Sequence, residues 1–104
     1  MNETPNKPLN IPDRTIEHGL WVDNAQIHAA LMGILIPNIH KGANRSNAKP
    51  SEVASAISAV SLISAKLARI AAGNMNEPDH WLDIAGYAKL HHELITKPSD
   101  DAGK

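Results

Sequence analysis

Apolar side chains recur at three- and four-residue intervals along three stretches of the chain, the spacing of one face of an α-helix. Ile27, Ala30, Leu31, Ile34 and Leu35 form the first stripe. They predict a helix over 23–36, with Asp23 or Asn24 able to cap it and Pro37 as its stop. Val53, Ile57, Val60, Ile63, Leu67 and Ile70 form the second, predicting a helix over 52–72 between a Ser51 cap and a Gly73 stop. Ser55, Ser58, Lys66 and Arg69 fall on its other side, with Leu62 among them. Trp81, Ile84, Ala85, Ala88 and Ile95, flanked by Leu90 and Leu94, predict a third helix over 80–95, with Asp79 as cap after Pro78 and Pro98 beyond its end. No strand-like alternation of useful length and no internal repeat interrupts this pattern. The expected fold is all-α: a small three-helix domain over 13–97 whose second and third helices form a long antiparallel hairpin.

The polar segments complete the expected organisation. Residues 1–12 hold Pro5, Pro8 and Pro12 and read as an extended, flexible arm. A short turn or helical segment with Ile16, Leu20 and Trp21 follows, broken at Gly19. Residues 37–50 read as a polar loop carrying Lys41, Arg45 and Lys49 with no nearby acid, a candidate interaction surface. Residues 98–104 read as a frayed tail. The third helix is apolar around more than half its circumference, so it needs two neighbours or a second copy of the chain, and a homo-oligomer is expected.

Composition narrows the field. The chain has 104 residues, 42% of them apolar but only 3% aromatic and none Phe, so Ile, Leu, Val and Ala must fill one modest core. A net charge of −1 argues against generic nucleic-acid binding, which needs a basic footprint. The absence of cysteine excludes disulfides, thiolate zinc sites and cysteine nucleophiles. The amino terminus has no apolar leader, and the longest unbroken apolar run, Ala29 to Ile36, is too short to span a bilayer. These features predict a cytoplasmic protein without a membrane partner.

The chemistry concentrates in two places. Asp83 and Tyr87 lie four residues apart and point the same way on the third helix. Lys66 and Arg69 sit near the end of the second, and the short connection from Gly73 to Asp79 brings the two helices together. Asp83 is expected to pair with Lys66 or Arg69, as a structural salt bridge or as part of an anion or nucleotide site in which the two bases meet phosphate. Arg14, Glu17, His18 and Gly19, with Asp23 and Asn24, form a second polar group near a helix start, where anions are attracted. The candidate ligand-binding set is therefore Arg14, Asn24, Lys66, Arg69, Asp83 and Tyr87. The histidines at 18, 28, 40, 80, 91 and 92 lack metal-ligand spacing, and the acids Glu17, Asp23, Glu52, Asp79, Asp83 and Glu93 are scattered. No cofactor is expected, with Mg²⁺ entering only if the protein is an enzyme.

Asp13-Arg14, His18-Gly19, Asp23-Asn24, Ala29-Ala30-Leu31, Lys66-Leu67-Ala68-Arg69-Ile70 and above all Trp81-Leu82-Asp83-Ile84-Ala85-Gly86-Tyr87-Ala88 resemble, in order and spacing, a family of small uncharacterised phage and prophage proteins. Members are distantly similar to the all-helical MazG-like nucleotide pyrophosphohydrolases. The resemblance spans about 13–95 and implies a helical, oligomeric protein of the infected host's cytoplasm. MazG-like enzymes hold Mg²⁺ on a Glu-Glu-x-x-Glu helix and a later Glu-x-x-Asp pair; here Glu52 stands alone and Asp79 precedes Asp83 by four. Three functions compete. The first is nucleotide or phosphate binding without efficient hydrolysis, with Arg14, Lys66 and Arg69 on phosphate and Trp21, Trp81 or Tyr87 stacking a base. The second is a phage-encoded interaction or inhibitor protein that binds a host factor through the arm and the 37–50 loop. The third is Mg²⁺-dependent pyrophosphate release by Asp83, Glu52, Asp79 and Asp23.

Overall fold

The computed structural model describes residues 18–97, so the predicted arm, Arg14 and the predicted tail lie outside the described residues. Three helices follow one another: α1 (Trp21–Ser46), α2 (Pro50–Ala72) and α3 (Pro78–Thr96). The described residues contain no strand, and the fold is all-α. α1 and α3 both pack on α2 and scarcely on each other. Short connections make each of them antiparallel to α2, which is the central helix.

The first helix is longer than its sequence pattern predicts. α1 runs for 26 residues straight through Pro37, so most of the expected 37–50 loop is helical. Proline removes one rung of the ladder, the bond to the Gly33 carbonyl. Gly33 is exposed, which leaves that carbonyl open to water. One residue later Asn38 Nδ2 donates to the Ile34 carbonyl at 2.8 Å. Ile39, Gly42 and Ala43 continue the half-buried stripe of Leu31 and Leu35, and this packing outweighs the local penalty. The helix closes where Asn47 adopts φ 57°, with Ala48 N–H donating to Ala43 O at 3.0 Å. Lys41 and Arg45 therefore ride on the exposed side of α1, and Lys49 is the residue before α2.

The caps also differ from expectation. Leu20, not Asp23 or Asn24, stands at the N-cap of α1, and it supplies no side-chain bond. α2 starts with Pro50, whose missing N–H costs nothing in the first turn. Lys49, not Ser51, stands at the N-cap of α2, and Glu52 Oε1 accepts from its N–H at 2.8 Å. Gly73 ends α2 as its position predicts, its N–H donating to Arg69 O at 2.8 Å. α3 begins at Pro78 with Glu77 as N-cap, its carboxylate accepting from Asp79 N–H at 3.4 Å, so Asp79 lies within the first turn.

Only Ala68 and Ile70 are buried apolar residues among those described, joined by the buried polar residues Asn24, Ser64 and His80. The predicted stripe of α2, Val53 to Ile63, is half-buried. Histidines stitch both helix seams: His28 Nε2 donates to Ser61 O at 3.1 Å, and His91 Nδ1 meets Ser55 Oγ at 2.8 Å. Large apolar side chains remain in water, among them Trp21 (79% exposed), Leu82 (69%) and Leu90 (66%). By length and composition α2, with mean hydropathy 1.5, is also long and apolar enough to cross a membrane, a property shared by central helices of helical bundles.

Candidate functional site

The site forms where α1 starts and α2 ends. The chain enters α1 through Gly19 at φ +78°, a conformation that favours glycine. A Cβ there would lie 2.5 Å from the Ala72 carbonyl oxygen, so only glycine lets the segment pass this close to α2. Asn24, 8% exposed, folds back under that entry: its Nδ2 donates to the carbonyls of His18 and Leu20, the latter at 2.9 Å. Two carbonyl partners fix the amide orientation. They leave Oδ1 buried and without a hydrogen bond. His18 Nδ1 lies 3.1 Å from Nε2 of the fully buried His80, one nitrogen carrying the proton and the other accepting it. This contact fastens the start of α1 to the start of α3.

The last two turns of α2 supply the charge. Lys66 Nζ lies 2.8 Å from Asp83 Oδ2, with the lysine mostly covered and the carboxylate half-exposed. The hydrogen bond from Lys66 holds the Asp83 carboxyl below its usual range; desolvation opposes this, and the charges of Lys66, His80 and Arg69 assist it. Of the two expected partners, Lys66 is thus the one that pairs. Arg69 makes no hydrogen bond or ion pair among the described residues. A cavity of about 350 Å³ opens between these groups, lined by His18, Gly19, Trp21, Asn24, Lys66 and Arg69.

Three of the sequence-predicted ligand residues, Asn24, Lys66 and Arg69, line this cavity together, and Asp83 reaches it through Lys66. Tyr87 does not: it borders a shallow apolar depression on α3 with Leu82, Gly86 and Leu90. Trp81 is also elsewhere, its indole N–H donating to Met75 O at 2.7 Å. Lys41, Arg45 and Lys49 lie toward the opposite end. Sequence reasoning missed His80 as a part of the site. Its signal was position: His80, Ile84, Tyr87 and His91 recur at helical spacing and form the face of α3 that meets α2.

Glu17 lies outside the described residues, and the acids among the described residues do not converge. Glu52 precedes Lys66 by fourteen residues, roughly 21 Å along the axis of α2. Among the described residues no three of His, Cys, Asp and Glu come together in a way that could hold a metal ion. Among the described residues the cavity offers Arg69 without an ion pair, the unfilled Asn24 Oδ1 and the exposed Trp21 indole at its rim. Compared with known proteins, the chain matches no family model, no curated protein and no solved structure.

Proposed function

We propose that the protein binds a small phosphate-bearing ligand, a nucleotide, in the cavity between α1 and α2, and that it does so without efficient hydrolysis. The observation that carries this reading is the pairing of two unmet demands in one cavity. Among the described residues the Arg69 guanidinium has no anion and the buried Asn24 Oδ1 has no donor. A nucleotide has a phosphate for the first and a ribose hydroxyl or base amino group for the second. Trp21 adds a ring face on which a base stacks. The first turn of α1 opens at the same rim, and its N-cap Leu20 supplies no side-chain hydrogen bond, although Asp23 in that turn offsets part of the pull on an anion.

Charge refines the ligand class. Among the described residues Asp83 pairs with Lys66, while Arg69, the other cation lining the cavity, has no ion pair. That balance suits one phosphate better than three, and a nucleoside monophosphate is expected to bind at least as tightly as the triphosphate. A nucleotide is preferred over other phosphates because the Trp81–Ala88 block resembles a phage protein family whose members are distantly similar to MazG-like enzymes; the separation of Glu52 from Asp83 supports binding over Mg²⁺-assisted turnover.

Calorimetry with inorganic phosphate and nucleoside mono-, di- and triphosphates, with and without Mg²⁺, tests the proposal. Saturable binding that Arg69→Ala weakens by roughly tenfold or more, the worth of a charge-assisted hydrogen bond, is the expected result. No heat and no thermal shift from any of these ligands would overturn it. A second reading, docking on another protein, draws on the large apolar side chains left in water. A stoichiometric complex recovered from host lysate, unaffected by Arg69→Ala, would favour it instead.

A further inference from the structure

The outer face of α3 carries a pattern of which the ligand site uses only Asp83. Around Gly86 the sequence reads Leu82-Asp83-Ile84-Ala85-Gly86-Tyr87-Ala88-Lys89-Leu90. Leucines stand four residues to either side of the glycine, and charges of opposite sign stand three to either side. At 100° per residue, Leu82, Asp83, Gly86, Lys89 and Leu90 share an arc of about 120° centred on Gly86. That arc flanks the face formed by His80, Ile84, Tyr87 and His91, and at its nearer edge Asp83 reaches Lys66 of α2. Leu82 and Leu90 are among the most exposed apolar side chains described, and they wall an open apolar depression of about 580 Å³ with Gly86 at its floor. A Cβ built on Gly86 meets nothing within 4 Å.

We propose that Gly86 marks a two-fold axis on which α3 packs antiparallel against α3 of a second copy of this chain. Rotation about that axis places each Leu82 beside Leu90 of the other copy and each Asp83 beside its Lys89. One patch thus meets itself with both apolar and charge complementarity, as a closed two-fold interface requires. Glycine at the crossing lets the two backbones approach and lets the leucines fill the opposing depressions. The charged groups are available. Asp83 uses Oδ2 for Lys66, and Lys89 has only a loose 3.9 Å contact with Glu93, both side chains being mostly exposed. Asp79 and Glu93, seven residues from the axis, lie where crossed helices have diverged into water. The occupant is a second copy because the complementarity is internal to the patch: an unrelated partner would have no reason to match its palindrome. Covering this face also addresses the poverty of the monomer's own core, in which two apolar residues are buried among those described. The pairing does not depend on the ligand reading, although it brings the second copy's Lys89 to the acid that holds Lys66.

The chain has no cysteine, so single cysteines report the geometry directly. In Gly86→Cys the two thiols meet on the axis and should form an intermolecular disulfide under mild oxidation. Ala88→Cys, equally exposed but about 200° around the helix, should form it about tenfold more slowly or less, because it lacks the high effective concentration of a held contact. Sedimentation should show the unaltered chain self-associating, Gly86→Leu should return it to monomer, and Lys89→Glu should weaken it. Gly86→Leu adds a helix-favouring side chain in open space, so circular dichroism should show it folded. A monomeric unaltered chain at its highest soluble concentration, with both cysteines reacting alike, overturns the proposal. So does a dimer that survives Gly86→Leu and Lys89→Glu unchanged, since the copies would then meet on another face.

Discussion

At one end of the molecule, where α1 begins and α2 finishes, Asn24, Ser64, Ala68, Ile70 and His80 are buried and the chain is held by a glycine contact, a double amide bond and a histidine pair. At the other end, Ile39, Gly42, Ala43, Val53, Ala56 and Ile95 surround a cavity of about 320 Å³, and none of them is buried. Polar contacts occur at both ends, since Glu52 and His91 bond Lys49 N–H and Ser55 beside the second cavity, but only at the first do they come with full burial. In a chain without a large core, a few stereospecific contacts hold a small site in shape while the remaining apolar surface is left for a neighbour. The ligand cavity sits at the held end, where preorganisation matters to binding.

This contrast can be broken by mutation. Gly19→Ala should do the greatest damage, because it forces a side chain into the Ala72 backbone at a positive φ; a loss of about 2–4 kcal/mol in urea unfolding is expected. Next, Asn24→Ala should cost about 1–3 kcal/mol by stranding two carbonyls, whereas Val53→Ala at the open end should cost below about 1 kcal/mol. Equal losses at Asn24 and Val53 would show that the ends are held alike. The smallest effect concerns acid. The Asp83 carboxyl is held below its usual range in the folded state, first by the hydrogen bond from Lys66. It therefore contributes stability above its unfolded pKa, and that contribution disappears as pH falls through the folded value. Unfolding curves across the acid range should lose this slope in Asp83→Asn, modestly, because the pair is partly open to solvent.

Much of the fold was legible because helical periodicity is a local signal. The stripe of α2, the Gly73 stop and the proximity of Lys66 to Asp83 follow from spacing and one short connection, whereas the expected stripe of α3 is not its packed face: Trp81, Ala85, Ala88 and Ile95 are exposed, and His80, Ile84, Tyr87 and His91 are the covered positions. The end of α1 did not, because Pro37 is a strong local breaker and its neutralisation depends on packing of Ile39 and Gly42 against α2, which no window around residue 37 contains. Asn24 was legible as a polar residue near a helix start but not as the buried clasp it is, since its partners are backbone carbonyls that carry no sequence identity. Tyr87 was misplaced for a related reason: four-residue spacing puts it on the side of Asp83, but only the position of α2 decides which part of that side faces the cavity.

Pro37 carries a consequence for how the longest helix behaves. An imide nitrogen cannot bridge back to Gly33, so the continuous helix α1 lacks one backbone link between its clamped start, where Asn24 and His28 bond, and its far end beside Val53. Backbone amides beyond that gap are expected to exchange with solvent sooner than those before it.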